Sequence, residues 1–189
     1  MSSNYKGVTL WFTGLSQSGK TTTAQLVAQK LRERGVDRME NLDGDVMRMG
    51  LCKGLGFTKE DRDENIRRFY LVAQLLTRND VVTIVSAISP YQEARDTARA
   101  LIGDFAEIHV KAPLQVCADR DTKGLYAKAM SGELQGFTGV NDPYEEPVNP
   151  ELVLDTENVS PDDNADRVLA WMEAKGYLAP VGATEFANA

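Results

Sequence analysis

The chain has 189 residues, enough to bury one substantial core and more naturally one domain than two. Its 21 basic and 28 acidic side chains leave a net charge of −7, which argues against nucleic acid or an anionic membrane as a partner and requires any anionic ligand to be caught by a local pocket. Cys52 and Cys117 form neither a disulfide framework nor a zinc spacing, and the single histidine, His109, sits in an apolar run, so histidine-based acid–base or triad chemistry is excluded.

In chain order, Met1 to Lys6 run straight into an apolar strand, Val8 to Thr13. Further strands are predicted at Met39 to Leu42, Val81 to Ser86, Phe105 to Val110 and Glu151 to Leu154. Between them, helical periodicity covers Lys20 to Arg34, Lys59 to Arg78, Pro90 to Leu101, Pro113 to Asp119 and Pro161 to Lys175, with Gly35 as the left-handed stop of the first helix. This alternation predicts an α/β domain with a parallel sheet flanked by helices, occupying residues 1–180. Residues 121–150 hold glycines, prolines and charges with weak periodicity, as a mobile lid would, and 181–189 read as a frayed tail. The longest apolar stretch, Val81 to Ile88, is far too short to span a bilayer, so a soluble cytoplasmic protein is expected.

The strongest signal is Gly14-Leu15-Ser16-Gln17-Ser18-Gly19-Lys20-Thr21, which fits the phosphate-binding P-loop pattern directly after a strand and before a helix starting Thr22-Thr23. Its glycines let successive backbone N–H groups curl around a phosphate, Lys20 reaches the β- and γ-phosphates of ATP, and the Thr21 hydroxyl is a ligand for Mg²⁺. The helix dipole adds its positive end. At the carboxyl edge of the second strand, Asp43-Gly44-Asp45 offers two carboxylates beside that loop, one for Mg²⁺ and one to orient and deprotonate a hydroxyl acceptor. The blander alternative is a solvated turn in which Asp45 caps the following helix. The strand Val81 to Ser86 carries no acidic residue at its carboxyl end, which raises the weight on Asp43 and Asp45.

In the next helix Arg62, Asn65, Ile66 and Phe69 share one face, mixing a cation and an amide with apolar surface. That combination predicts a second anion pocket facing the P-loop. Arg67 and Arg68 lie off the stripe and are expected to pair with Asp61, Asp63 and Glu64 in a solvated network.

These segments, with Leu55 to Arg68, Ile88-Ser89-Pro90-Tyr91, Lys123-Gly124-Leu125-Tyr126, Phe137-Thr138-Gly139 and Asp142-Pro143-Tyr144-Glu145, resemble the adenylylsulfate kinases from Gly7 to about Tyr177. The resemblance implies a three-layer P-loop kinase fold, a homodimer, and transfer of the ATP γ-phosphoryl group to the ribose 3′-hydroxyl of adenosine 5′-phosphosulfate (APS) in sulfate assimilation. It also implies a substrate site of Asp45, Arg48, Phe57, Arg62, Asn65, Ile88 and Ser89, closed by Lys123 and Phe137 from the lid. Phe57 and Phe137 can sandwich an adenine, Arg62 offers a planar cation to the phosphosulfate, and Lys123 can bridge charge that develops during transfer. The family's catalytic label on Ser89 is a phosphoserine. With no histidine base to activate it, direct in-line transfer is expected, with Ser89 as a hydrogen-bonding group. Gln17, Val46, Ala87 and Lys53-Gly54 depart from the family pattern without removing a group assigned to chemistry. A shikimate- or gluconate-type kinase is the nearer competitor, although the Gly-Gly-Gly acceptor motif of shikimate kinases is absent. A guanine-nucleotide switch fails because no Asn-Lys-x-Asp reader occurs.

Overall fold

The computed structural model describes residues 4–182, so the predicted tail falls outside the described residues from 183 onward. Five parallel strands form one sheet in the order β2-β3-β1-β4-β5: β1 Val8–Thr13, β2 Met39–Asp43, β3 Val82–Ser86, β4 Phe105–Lys111 and β5 Leu152–Asp155. All five lie where the apolar runs predict them, to within a residue at either end.

The central strand β1 is buried on both faces, and its alternating side chains feed two cores. Val8, Leu10 and Phe12 pack with α1 (Lys20–Glu33) and α7 (Pro161–Ala174), where Val27, Leu31, Val168 and Met172 are buried. On the opposite face Trp11 meets Phe69 of α3 (Lys59–Thr77) and Phe105, with Ala98 of α4 (Gln92–Ile102) completing the layer. Helices therefore sandwich the sheet in three layers. Parallel strands of this kind read as continuous apolar runs because neither face meets water.

Local chemistry sets the helix ends. Thr58 caps α3 by accepting from the Asp61 N–H, Ser160 caps α7 by accepting from the Asp163 N–H, and Gly35, at φ +79°, closes α1 as predicted. Two short helices lie outside the predicted set: α2, Gly44–Met49, and α6, Leu125–Met130, which interrupts the segment predicted to lack regular structure. Each has only six residues. The remaining helix, α5, spans Leu114–Asp119. Among the described residues no helix is long and apolar enough to cross a membrane.

His109 is buried in β4, with the Tyr144 ring at 6.1 Å. Burial holds its pKa down at about 4; nearby Glu146 pushes the other way, and Lys111 and Arg95 act with the burial. The unfolded chain takes up a proton near pH 6.5 that the folded chain refuses, so stability is full above that pH and is lost as pH falls toward 4. His109→Gln is expected to shrink the drop in unfolding free energy between about pH 6.5 and 4.5 by about 2 kcal/mol, read from denaturant titrations of both proteins.

Candidate active site

The P-loop bridges β1 and α1 at the carboxyl edge of the sheet, where α/β folds bind ligands. Helix α1 begins at Lys20, so the unpaired N–H groups of its first turn face the loop. The Lys20 ammonium donates to the carbonyls of Leu15 at 2.6 Å and Gly14 at 3.0 Å, and burial pulls its pKa down to about 8. Gln17 sits at φ +59°, a left-handed conformation uncommon for a residue with a side chain.

Asp43 ends β2 and does two things. Its Oδ1 accepts from the N–H groups of Asp45 and Val46, so Asp43, and not Asp45, caps α2. Its Oδ2 accepts from the Thr21 hydroxyl at 3.0 Å. Asp45 is left with no hydrogen bond to its carboxylate among the described residues, on the first turn of α2, facing the same cavity.

That cavity, of about 490 Å³, runs from the P-loop to α3. Ser16, Gln17, Lys20, Thr21, Asp43 and Asp45 line one end; Arg48, Phe57, Arg62, Asn65, Ile88, Ser89 and Phe137 line the other. Gly14, Leu15, Ser18, Gly19 and Thr22 do not line it, and Leu15 instead faces a second cavity of about 850 Å³ beside Lys111 and Tyr144. Arg62 and Asn65 are buried, as the mixed helix face predicts. The guanidiniums of Arg48 and Arg62 lie 4.4 and 5.6 Å from the centre of the Phe57 ring. Burial, with Arg62 nearby, lowers the pKa of Arg48, as expected where cations are gathered ahead of an anion. Three buried polar atoms of the lining, Asn65 Oδ1, Ser86 Oγ and Thr138 Oγ1, have no hydrogen-bond partner among the described residues. Such atoms cost free energy unless a ligand satisfies them. Outside the cavity, Arg67 and Arg68 both pair with Glu64, whereas Asp63 takes Lys59 and Asp61 accepts from Thr58, so of the three carboxylates expected to meet these arginines only Glu64 does.

The family model for adenylylsulphate kinase matches residues 6–155. The chain belongs to the adenylylsulfate kinase family. Similar proteins include the adenylyl-sulfate kinase of Halothermothrix orenii, 57% identical over 175 residues, which are 93% of this chain and 94% of that one. Among solved structures, an APS kinase of Mycobacterium tuberculosis in complex with AMPPNP and APS is 46% identical, with a TM-score of 0.84 over 89% of this chain and 99% of that one. A hexameric APS kinase from Thiobacillus denitrificans is 35% identical, with a TM-score of 0.71 over 93% of this chain and 30% of that one. The chain is thus an ATP-dependent kinase of this family, and the shikimate- and gluconate-type alternatives fall away.

Within this adenylylsulfate kinase fold, the loop after β3 is held from several sides. Thr13 Oγ1 donates to the Ile88 carbonyl at 2.7 Å, and Trp11 Nε1 donates to Ser89 Oγ at 3.0 Å. Ser89 itself is buried at φ +41°. Arg95 donates to the Ser89 carbonyl, to the Glu145 carbonyl and to Gln92 Oε1, and forms a fully buried ion pair with Glu107 at 2.6 Å. Glu107 also meets Arg99, which pairs with Glu151. Sequence reading missed this network, because neither Arg95 nor Glu107 belongs to a motif and their pairing joins a helix to a strand. The one available signal is an acidic residue, Glu107, inside a run otherwise patterned as a buried strand.

The segment 121–150 has an internal turn at its start and is attached to the loop after β3 near its end. Asp121 accepts from the N–H groups of Lys123 and Tyr126, while the Glu145 N–H donates to Pro90 O and its carboxylate accepts from the Gln92 N–H. Between these ends Arg62 donates to Gly136 O, and Phe137 packs edge-on to Tyr126 at 4.8 Å. At Gly139, φ is +91°, a left-handed conformation that glycine adopts without strain, and a Cβ there would stand 2.6 Å from the tip of the Leu15 side chain, which would have to shift. Lys123, expected in the substrate site, is exposed and does not line the cavity.

Proposed function

We propose that this adenylylsulfate kinase transfers the ATP γ-phosphoryl group directly to the 3′-hydroxyl of APS, giving 3′-phosphoadenosine 5′-phosphosulfate, with the whole domain working around the 490 Å³ cavity. The observation that carries this reading is the continuity of that cavity, which joins the phosphate loop, a carboxylate free of other bonds and a paired-guanidinium wall. Lys20 and the loop amides hold the β- and γ-phosphates. Asp45 orients and deprotonates the acceptor hydroxyl. Arg48 and Arg62 take the anionic end of APS, Phe57 and Phe137 flank its adenine, and Asn65, Ile88 and Ser89 fix its orientation.

Thr21 and Asp43 present a hydroxyl and a carboxylate 3.0 Å apart, hard oxygen donors few enough to suit Mg²⁺, which keeps most of its shell for phosphate and water. When bound, Mg²⁺ would neutralise charge on the phosphate oxygens. The reading also includes a homodimer, supported by the family resemblance and by assembly in the hexameric relative, and a cytoplasmic site of action, where ATP is held. A coupled assay tests the reaction: turnover is expected with APS and far less with AMP. Equal use of AMP or of a non-nucleotide alcohol rejects it.

Ser89 Oγ accepts from Trp11 and donates weakly to Ala87 O at 3.4 Å, with no base beside it, which supports a bystander role in bond making. Ser89→Ala is expected to keep measurable turnover. Kinetically competent phosphate trapped on Ser89 would contradict direct transfer.

Residues 121–150 are proposed to act as a lid that brings Lys123 in over the phosphates and shuts out water. Amides from Gly124 to Gly139 are expected to gain protection from hydrogen exchange when ADP and APS are added together. Full protection without ligands would make the segment a fixed wall.

A further inference from the structure

Tyr126, on α6, plays no part in the chemistry above, yet its hydroxyl reaches across 110 positions of sequence to donate to the Ser16 carbonyl at 2.8 Å. The ring is buried with Ala112 and Cys117. Burial raises the pKa of the phenol, so it remains an O–H donor over the whole working range.

Ser16 O belongs to the peptide unit whose N–H is that of Gln17, and both residues line the cavity at its phosphate end. A peptide plane is rigid, so its C=O and N–H swing together in opposite directions. Gln17 is held at φ +59°, a left-handed conformation that is strained for a residue with a Cβ. The strain is relieved if the plane rotates, and that rotation carries the Ser16 oxygen away from Tyr126 and the Gln17 N–H away from its place in the cradle.

We infer that Tyr126 is a positioning residue for nucleotide binding: its hydroxyl clamps the Ser16–Gln17 peptide in the strained orientation that presents the loop amide to phosphate. The inference rests on the phosphate-binding role proposed for residues 14–21, and not on the identity of the acceptor. Because α6 lies within the segment 121–150, the same bond ties that segment to the cradle.

The test is ADP binding by calorimetry in a cycle of substitutions. Tyr126→Phe keeps the ring and removes the clamp, and is expected to weaken ADP binding by ~5–10-fold, the worth of about one net hydrogen bond. Glycine adopts positive φ without cost, so when both members of the pair also carry Gln17→Gly, the loss caused by Tyr126→Phe is expected to shrink to ~2-fold or less. Repeating the pair with Gln17→Ala, which keeps a Cβ, should leave the loss undiminished. A Tyr126→Phe protein that binds ADP like the parent overturns the inference. So does a loss of the same size on the parent, Gln17→Gly and Gln17→Ala backgrounds, because a merely structural hydroxyl would lower stability and binding without regard to the side chain at that position. ADP binding that follows this cycle alongside no turnover of APS would instead fault the acceptor assignment and leave the clamp standing.

Discussion

Asp45→Asn is expected to lower kcat with APS by at least ~10²-fold, the lower end of what a positioned general base contributes. The substitution keeps the shape of the side chain. The turn beneath it is fixed separately, since the Asp45 N–H is held by Asp43 Oδ1. What is lost is a carboxylate that lines the cavity and has no other hydrogen bond among the described residues. Steady-state kinetics distinguish the roles. A fall in kcat with little change in KM for ATP fits a base, whereas a rise in KM for APS at unchanged kcat would make Asp45 a binding group only.

Lys20→Ala is expected to lower kcat/KM for ATP by at least ~10²-fold, because charge on the transferring group then develops without its nearest cation. Lys20 also gives a signature that needs no turnover. With its pKa drawn down to about 8 by burial, the ammonium is roughly half neutral in the free protein at that pH, and phosphate oxygens favour the charged form. ADP binding at about pH 8 is therefore expected to take up about half a proton, falling toward none near pH 6. Calorimetry in two buffers of different ionisation enthalpy measures this uptake. A Lys20→Arg protein, charged at every pH, should show none, and a parent enthalpy independent of buffer would contradict the assignment.

Much of this was legible in the chain. The P-loop pattern located the phosphate end because its residue types are dictated by backbone geometry, and Arg62 with Asn65 stood out because a core-facing stripe has no apolar reason to hold them. The central strands β1, β3 and β4 were legible for the same reason their side chains are buried. What stayed hidden depends on distance in sequence. Arg95 draws its meaning from Glu107, Ser89 and Glu145, and Tyr126 from Ser16, pairings that no local period encodes. Asp43 and Asp45 were found together, but which of them caps α2 is a matter of side-chain rotation. Lys123 marks the reverse case, a residue expected in the site that lies on an exposed turn held by Asp121.

The tie between Arg95, Glu107 and Glu145 has a consequence for the order in which the molecule can be completed during synthesis. Strands β1, β3 and β4, which seat the phosphate loop, have all left the ribosome once Lys111 has emerged, and the tyrosine that braces the loop follows at 126. The acceptor loop at Ser89 and Pro90 waits longer. The partners for the Pro90 carbonyl and for the Gln92 N–H both come from Glu145, and the carboxylate that takes the Glu107 N–H comes from Glu151, about fifty residues behind the groups they secure. The phosphate loop waits as well, since its Ser18 carbonyl accepts from the Thr156 hydroxyl at 2.7 Å, so the last bonds that secure both sides of the cavity arrive together late in synthesis.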